Sequence, residues 1–238
     1  GVRLGGDGLG NILFPWARAI VYAKSNNSER IQTTWKNLKI GTFIRGERDK
    51  RMYFDIFTGK DGIRGFKKFL LLNFSNKVKI FSGMENLFDS FKDEHGFIKS
   101  ELIKIINPFH IKRAGDFDRN SIAVHIRMGD FAVAEDEEKI RSGHWCYRLP
   151  FKWYKSIIEK ISNESNLPIY IFSDAADQEL KSLLELKNCR RASFGSSISD
   201  MLAISNAKIL VSSASTFSMW ASFLGQMPTI WFPGQMRQ

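Results

Sequence analysis

The chain is poor in the residues that staple or metallate small folds. Among 238 residues there are 2 cysteines and 4 histidines. Cys146 and Cys189 form no CxxC pair, and the histidines are scattered, which excludes a disulfide scaffold and argues against a zinc cluster. No stretch reaches the roughly 18 uninterrupted apolar residues of a membrane helix. The longest candidate, Met219 to Phe232, is broken by Ser222, Gly225, Gln226 and Pro228. No secretory leader pattern precedes it; the chain opens at Gly1-Val2-Arg3, as a trimmed chain would. The expectation is a reducing, cytoplasmic setting.

What is present is ordinary in bulk except for charge. Apolar residues make up 43% and charged residues 25%, which excludes disordered and collagen-like chains. At roughly 150 residues per domain the length allows one large or two small domains. Against 25 Asp+Glu stand 35 Lys+Arg, leaving +10. Such an excess fits nucleic acid, an anionic membrane surface or an anionic small ligand, and equally a coat of solvated lysines. Neither an internal repeat nor a low-complexity tract is visible.

The second half alternates strands with amphipathic helices. Ser121 to Arg127 is β-branched and apolar; Phe151, Tyr154, Ile157, Ile158 and Ile161 then share one helical face behind Pro150. Strands are predicted at Ile169–Phe172, Arg191–Phe194, Ile209–Ser212 and Thr229–Phe232. Helices are predicted over Ala175–Leu186, with Ser173 and Asp174 as caps, around Ser199–Asn206, and over Thr216–Leu224. That rhythm indicates βαβ units and a doubly wound parallel sheet. The first half begins as strand (Val2–Leu4), glycine turn, and helix (Asn11 through Ala23). Beyond it Gly59–Gly65 and Lys67-Lys68 read as loop, Val78–Phe81 as a strand, and Phe97–Ile106 as a helix ended by Asn107-Pro108. The polar stretch Lys112–Asn120 is the best domain boundary, giving domains 1–115 and 116–238.

Three segments fall where strands end, the place where open α/β sheets bind ligands. In Gly5-Gly6-Asp7-Gly8-Leu9-Gly10-Asn11, glycines let backbone approach a ligand and the following helix presents free N–H groups, although a merely tight βα turn looks the same. Asn11 stands where a dinucleotide fingerprint needs its third glycine, and GK[ST] is missing, so neither that fingerprint nor a P-loop is present. In His125-Ile126-Arg127-Met128-Gly129-Asp130, alternation puts His125, Arg127 and Gly129 on one face. A guanidinium on a helix-covered sheet needs an anion, either Asp130 or a ligand phosphate held bidentately. His125 alone reads as a satisfied core histidine. In Ser212 to Trp220, Ser215 or Thr216 caps the next helix, and the same helix start can hold a phosphate. Three such turns in succession point to a phosphate-bearing ligand.

Taken together, Gly-Gly-Asp-Gly-Leu-Gly-Asn11, His125-x-Arg127-x-Gly129-Asp130 and Ser212-Ser213-Ala214-Ser215-Thr216-Phe217-Ser218-x-Trp220-Ala221 resemble the three signatures of the α-1,2-fucosyltransferases of glycosyltransferase family 11. Tyr170 to Asp174 matches a strand end of the same family. The resemblance implies a GT-B fold, α/β with two Rossmann-like doubly wound domains and a cleft between them. The domain 1–115 would lie on the acceptor side, and 116–238 would bind the nucleotide sugar, GDP-fucose. It implies an inverting reaction that needs no metal and no cofactor. Arg127 would hold the donor pyrophosphate together with His125, and Gly10 and Asn11 would reach it from the N-terminal domain. Ser215, Thr216 and Phe217 would line the β-phosphate and nucleoside, and Asp174 would accept from the guanine edge.

The chain departs from the family pattern at Asp7, at Met128 in place of a second arginine, and in the Ile-Leu-Phe-Pro run after Asn11. It is also short. A base must take the acceptor proton. Asp130 is one candidate; Glu135, ten residues beyond His125 and placed like the base of the α-1,6 branch, is the other. The run Glu135-Asp136-Glu137-Glu138 is also what a solvated loop looks like. His144 and Trp145 could stack on an acceptor sugar. The expected partners are a nucleotide sugar and a glycan acceptor, with peripheral contact to the inner face of a membrane and no nucleic acid. The rivals are a GT-B enzyme for another nucleotide sugar, and a basic module for nucleic acid or other anions that is not an enzyme.

Overall fold

The computed structural model describes residues 2–3, 7–35, 38–39, 44, 53, 55–59, 61–144 and 146–236. The chain divides into two compact units, one of residues 1–45 and 50–111, the other of residues 46–49 and 112–238.

In the first unit, strands β1 (Val2–Arg3) and β2 (Leu38–Lys39) pair in parallel, with Val2 opposite Leu38. Helix α1 (Leu9–Ser25) starts at Gly8, whose carbonyl accepts from the Asn11 N–H; Gly5 and Gly6 lie outside the described residues. Pro15 lies inside α1. Leu13, Phe14, Trp16, Ala17 and Ile20 are buried on α1. They belong to an apolar core with Ile98, Leu102 and Ile105 of helix α3 (His95–Ile105). Trp35 stacks on Phe57 with ring centroids 3.9 Å apart.

Between α1 and α3, two sequence expectations fail. Gly65–Phe74 is a helix, α2, so Lys67 and Lys68 are helical rather than looped. Residues 78–81 form no strand. Their side chains find partners instead of their backbone: Phe81 packs on Tyr22 at 5.6 Å, and the Lys79 ammonium lies 4.2 Å from the Tyr22 ring. Arg18 Nη2 then donates to the turn carbonyls of Ser82 and Gly83, each at 2.6 Å. Pro108 does not simply end a helix. It opens helix α4 (Pro108–Gly115), where its missing N–H costs nothing in the first turn.

The second unit is built on a five-stranded parallel sheet. Its strands are β3 (Ile122–Ile126), β6 (Ile169–Ser173), β7 (Cys189–Arg191), β8 (Ile209–Ser212) and β9 (Thr229–Trp231), in the spatial order β7-β6-β3-β8-β9. A separate parallel pair, β4 (Ala132–Val133) with β5 (Tyr147–Arg148), branches off after β3. Helices α5 (Glu137–Arg141), α6 (Phe151–Glu164), α7 (Asp177–Leu184), α8 (Ser197–Ile204) and α9 (Thr216–Gly225) fill the connections. Every residue of β3 is buried, as a central parallel strand demands. Ile122, Val124 and Ile126 pack with Ile169, Ile171 and Val211 against Tyr154 and Ile158 of α6 and Leu180 and Leu183 of α7. The alternate residues, His125 among them, turn to the other face, toward α9.

Counted along this unit, the strands lie third, second, first, fourth, fifth. The chain order therefore reverses between β3 and β8, and the crevice beyond their carboxyl ends is the switch point at which doubly wound sheets hold ligands. Among the described residues no helix is long and apolar enough to cross a membrane.

Candidate functional site

Three loops leave the carboxyl ends of β3, β6 and β8, and hydrogen bonds tie them into one frame. The β3 and β8 loops exchange two bonds: the Arg127 N–H donates to Ser213 Oγ at 3.2 Å, and the Ser213 N–H donates to the His125 carbonyl at 3.2 Å. Asp174, just past β6, binds the β3 loop. Its Oδ1 accepts from the Met128 N–H at 2.7 Å and its Oδ2 from the Gly129 N–H at 2.9 Å. Arg191 of β7 buttresses the β6 loop, donating from Nη2 to the carbonyls of Ser173 at 2.6 Å and Ala175 at 3.1 Å.

Arg127 lies at the centre of this frame. Its Nη1 is 2.9 Å from Asp174 Oδ2, and Nε and Nη2 both meet Asp130 Oδ1, at 3.0 and 2.7 Å. Its side chain is 20% exposed. The guanidinium is therefore braced by two carboxylates and remains partly exposed. Asp174 is not the helix cap expected from sequence. Helix α7 starts two residues later than expected, with the Ala176 N–H donating to Glu179 Oε2 at 2.8 Å, and Ser173 Oγ accepts from the Ala175 N–H at 3.0 Å.

His125 is buried, its ring stacked on Phe217 with centroids 4.9 Å apart and its Nδ1 2.6 Å from Ser218 Oγ. Burial pulls its pKa down to about 4, with Asp174 opposing that and the Arg127 charge reinforcing it. The imidazole is neutral at physiological pH. Ser215 caps α9 by accepting from the Ser218 N–H at 3.2 Å, and Ser215 Oγ lies 2.9 Å from Ser218 Oγ. The Ser215 and Ser218 hydroxyls are buried in these contacts, and what α9 brings to the carboxyl end of β8 is the backbone N–H groups of its first turn, the chemistry that favours a phosphate. Fully buried Gln235 accepts the Ala214 N–H at 3.1 Å and pins the turn that feeds this helix.

A family model for glycosyl transferase family 11 matches residues 14–232. The chain belongs to glycosyl transferase family 11. Among solved structures it is similar to a NodZ alpha-1,6-fucosyltransferase soaked with GDP-fucose, with a TM-score of 0.48, 12% identity, and coverage of 94% of this chain and 90% of that one. It is also similar to POFUT1 in complex with GDP, with a TM-score of 0.46, 13% identity and 97% of each chain covered. In another POFUT1 crystal form with GDP, the match has a TM-score of 0.37 and 15% identity over 58% of this chain, which there spans 50% of its counterpart's length. No curated protein sequence matches the chain.

For this family 11 chain the structure gathers Arg127, Asp130, His125, Asp174, Ser215, Thr216 and Phe217 in the second unit. Gly10 and Asn11 are the second and third residues of α1 in the first unit, with Gly10 buried. Glu135 stands apart from the strand-end frame in its bonding: it is exposed and ion-paired with Lys139 one helical turn on. Its acidic neighbours are also engaged locally. Asp136 caps α5 through the Lys139 N–H, and Glu137 pairs with Lys152 at 2.5 Å and Arg141 at 3.3 Å, contacts that hold its carboxyl below the usual range. His144 Nδ1 bonds Ser142 Oγ at 2.9 Å, and Trp145 lies outside the described residues.

One Asp-x-Asp triplet is present, Asp116-Phe117-Asp118, of the kind that can hold a divalent ion. It lies before β3, at the opposite end of that strand from the frame. Phe117 is buried against Tyr170, Phe172 and Phe194, and Asp118 Oδ1 accepts the Asn120 N–H at 2.9 Å to shape the entry turn. Sequence reasoning passed over Ser213, Arg191 and Gln235. Ser213 was readable as part of the serine motif; Arg191 and Gln235 carry no local signal.

Proposed function

We propose that the chain is an inverting, metal-independent fucosyltransferase, moving fucose from GDP-fucose to a glycan hydroxyl, in α-1,2 linkage on a surface polysaccharide. One observation carries the reading: a guanidinium braced by two carboxylates, on a loop tied by Ser213 to the turn that starts α9, at the switch point of a parallel sheet, in a family 11 chain. In this reading the two units form a GT-B arrangement, with 1–115 on the acceptor side and 116–238 holding the donor in the second Rossmann-like domain. The protein works in the cytoplasm, with peripheral contact to the inner face of the membrane.

The chemistry follows from the charges. Arg127 forks onto the donor pyrophosphate, and the α9 N-terminus with Ser215 and Thr216 meets its phosphate oxygens. Phe217, stacked on neutral His125, gives the nucleoside an apolar flank. Gly10 and Asn11 close on the pyrophosphate from the N-terminal side. With three of the roughly four lone-pair positions of Asp174 taken by Arg127, Met128 and Gly129, one remains for a guanine N–H.

As the acceptor oxygen bonds to the sugar C1, the C1–O bond to the β-phosphate breaks, and the electron pair leaves with GDP. Arg127 stabilises that growing charge, the term that usually dominates such transfers. The acceptor proton passes to a carboxylate, Asp130 or Glu135. His144 and Trp145 contribute an acceptor-side surface.

The deciding experiment is release of GDP from GDP-fucose in EDTA, with and without mixed glycan acceptors, beside a binding panel of other nucleotide sugars. Acceptor-dependent release abolished by Arg127→Ala supports the reading. Tighter binding of another nucleotide, or an unaffected Arg127→Ala enzyme, overturns the donor assignment. A strict metal requirement overturns metal independence alone.

A further inference from the structure

Helix α2 departs from an ordinary surface helix. A helix on a globular unit turns its apolar stripe inward and its charges outward. Here no residue of Gly65–Phe74 is buried, although the sequence GFKKFLLLNF is largely apolar. Phe66, Phe69, Leu70 and Phe74 recur at i, i+3, i+4 and i+8 and form one face. They are 74%, 53%, 41% and 77% exposed. The opposite face is anchored by a cation: Lys68 Nζ donates to the Gln32 carbonyl at 2.7 Å and to Thr34 Oγ1 at 2.6 Å. Lys68 holds the helix to the unit, and the aromatic face stands in water, as does Leu72 on the Lys68 side at 44% exposure.

The cost of that arrangement argues for an occupant. The three phenylalanines alone leave roughly 400 Å² of mostly aromatic surface wet, taking about 200 Å² for each whole side chain. That already matches the largest patch of a typical soluble monomer. The rings touch one another, Phe66 on Phe69 and Phe69 on Phe74, each at 6.2 Å, so the patch is continuous.

Charge complementarity selects what covers it. Between Asp61 and Glu85 the chain has no acidic residue but carries Arg64, Lys67, Lys68, Lys77 and Lys79. Lys67 stands on the flank of the apolar face, 65% exposed and 3.8 Å from Glu29. Exposed Lys77 follows the helix. A protein partner or a second copy would need acidic groups to match this rim. A bilayer containing anionic phospholipid offers both an apolar boundary and negative headgroups, the environment in which aromatic, lysine-flanked helices lie flat.

We infer that the exposed face of α2, led by Phe66, Phe69 and Phe74 and rimmed by Lys67 and Lys77, is a docking surface for an anionic phospholipid membrane. It deepens the membrane contact named in the proposed function and does not depend on the sugar donor. The surface places the first unit against the lipid with α2 lying in the headgroup layer.

The test is flotation of the full chain with vesicles of phosphatidylcholine alone and of phosphatidylcholine with phosphatidylglycerol. The chain should float with the anionic vesicles, and added salt should weaken the association at least tenfold. Phe66→Asp with Phe69→Asp should abolish flotation, while Lys67→Glu with Lys77→Glu should erase the preference for phosphatidylglycerol. Circular dichroism and GDP binding without vesicles should match the parent in both variants, which separates failure here from misfolding and from failure of the donor assignment. Absence of flotation, or flotation insensitive to both variants, overturns the inference. So does a concentration-dependent dimer that the Phe66 and Phe69 changes dissociate, since the face would then belong to a second copy.

Discussion

One carboxylate positions the central guanidinium and the loop that carries it: Asp174 Oδ2 stands 2.9 Å from Arg127 Nη1 and 2.9 Å from the Gly129 N–H, while Oδ1 takes the Met128 N–H. Both partners are largely shielded, with side chains 20% and 16% exposed. Removing the negative charge should therefore act on the loop and on the arginine together. Asp174→Asn keeps the shape and should weaken GDP binding about tenfold, the equivalent of about 1.4 kcal/mol, with a lower melting temperature. Titration calorimetry beside thermal melts checks both. Unchanged affinity would mean that Asp130 alone sets the arginine.

Gly129 is a second control on the same contact. A Cβ at this position would meet Asp174 Oδ2 well inside van der Waals distance. Gly129→Ala should push the carboxylate aside, lose the Gly129 N–H bond, and cost about 1–3 kcal/mol in urea unfolding. GDP affinity should fall with it. An alanine variant as stable and as tight-binding as the parent would show that the loop has slack.

His125 makes the fold acid-sensitive. Its folded pKa is about 4 against an ordinary 6.5, so above pH 6.5 its contribution is fully present. As pH falls from about 6.5 toward 4 the unfolded chain takes the proton first, and up to a few kcal/mol of stability drains away. Denaturant melts at pH 7, 6, 5 and 4 should show the decline, and His125→Gln should flatten it.

Asp200 works in the opposite direction. Burial raises its pKa to about 6 from 3.8, against the Phe194 N–H bond at 2.5 Å and the nearby Arg191 charge, which lower it. Below pH 3.8 both states hold the proton; as pH rises through 6 the folded state must ionise a buried acid and loses stability. Asp200→Asn, which keeps an acceptor for Phe194, should gain on the order of 2 kcal/mol at pH 7.5 and nothing near pH 3.5. A gain that is equal at both values would place its origin elsewhere.

The two base candidates separate by kinetics. Glu135 is exposed and ion-paired with Lys139, whereas Asp130 is bound to Arg127. If Glu135 takes the acceptor proton, Glu135→Gln lowers kcat by at least a hundredfold and leaves GDP affinity intact. Asp130→Asn should lower both, because it also releases one side of the guanidinium. The reverse pattern assigns the base to Asp130.

Sequence pattern reached the second unit far better than the first. Central parallel strands are buried on both faces, so Ile122–Ile126 and Ile209–Ser212 appear as unbroken β-branched and apolar runs, and their carboxyl ends locate the crevice. Helix α2 escaped because its apolar residues face outward, and a glycine- and lysine-rich lead-in looks like a loop. The Val78–Phe81 run has strand composition but pairs with no strand among the described residues. The bracing of Arg127 by Asp130 is local and was foreseeable. Its bracing by Asp174 joins residues brought together only by the β3–β6 pairing, as the Gln235 contact with Ala214 depends on the turn after β9.

The strand order has a consequence for biosynthesis. β3 is made first in its unit yet must lie between β6 and β8, and the Arg127–Ser213 bond spans 86 residues while the His125–Ser218 contact spans 93. A ribosome-bound chain stopped before β8 therefore exposes one unpaired edge of a strand that is buried throughout in the finished sheet, and lacks the switch point. The switch point can form only after almost the whole unit has emerged, which makes it a late product of folding and the half-made sheet the stage most exposed to aggregation.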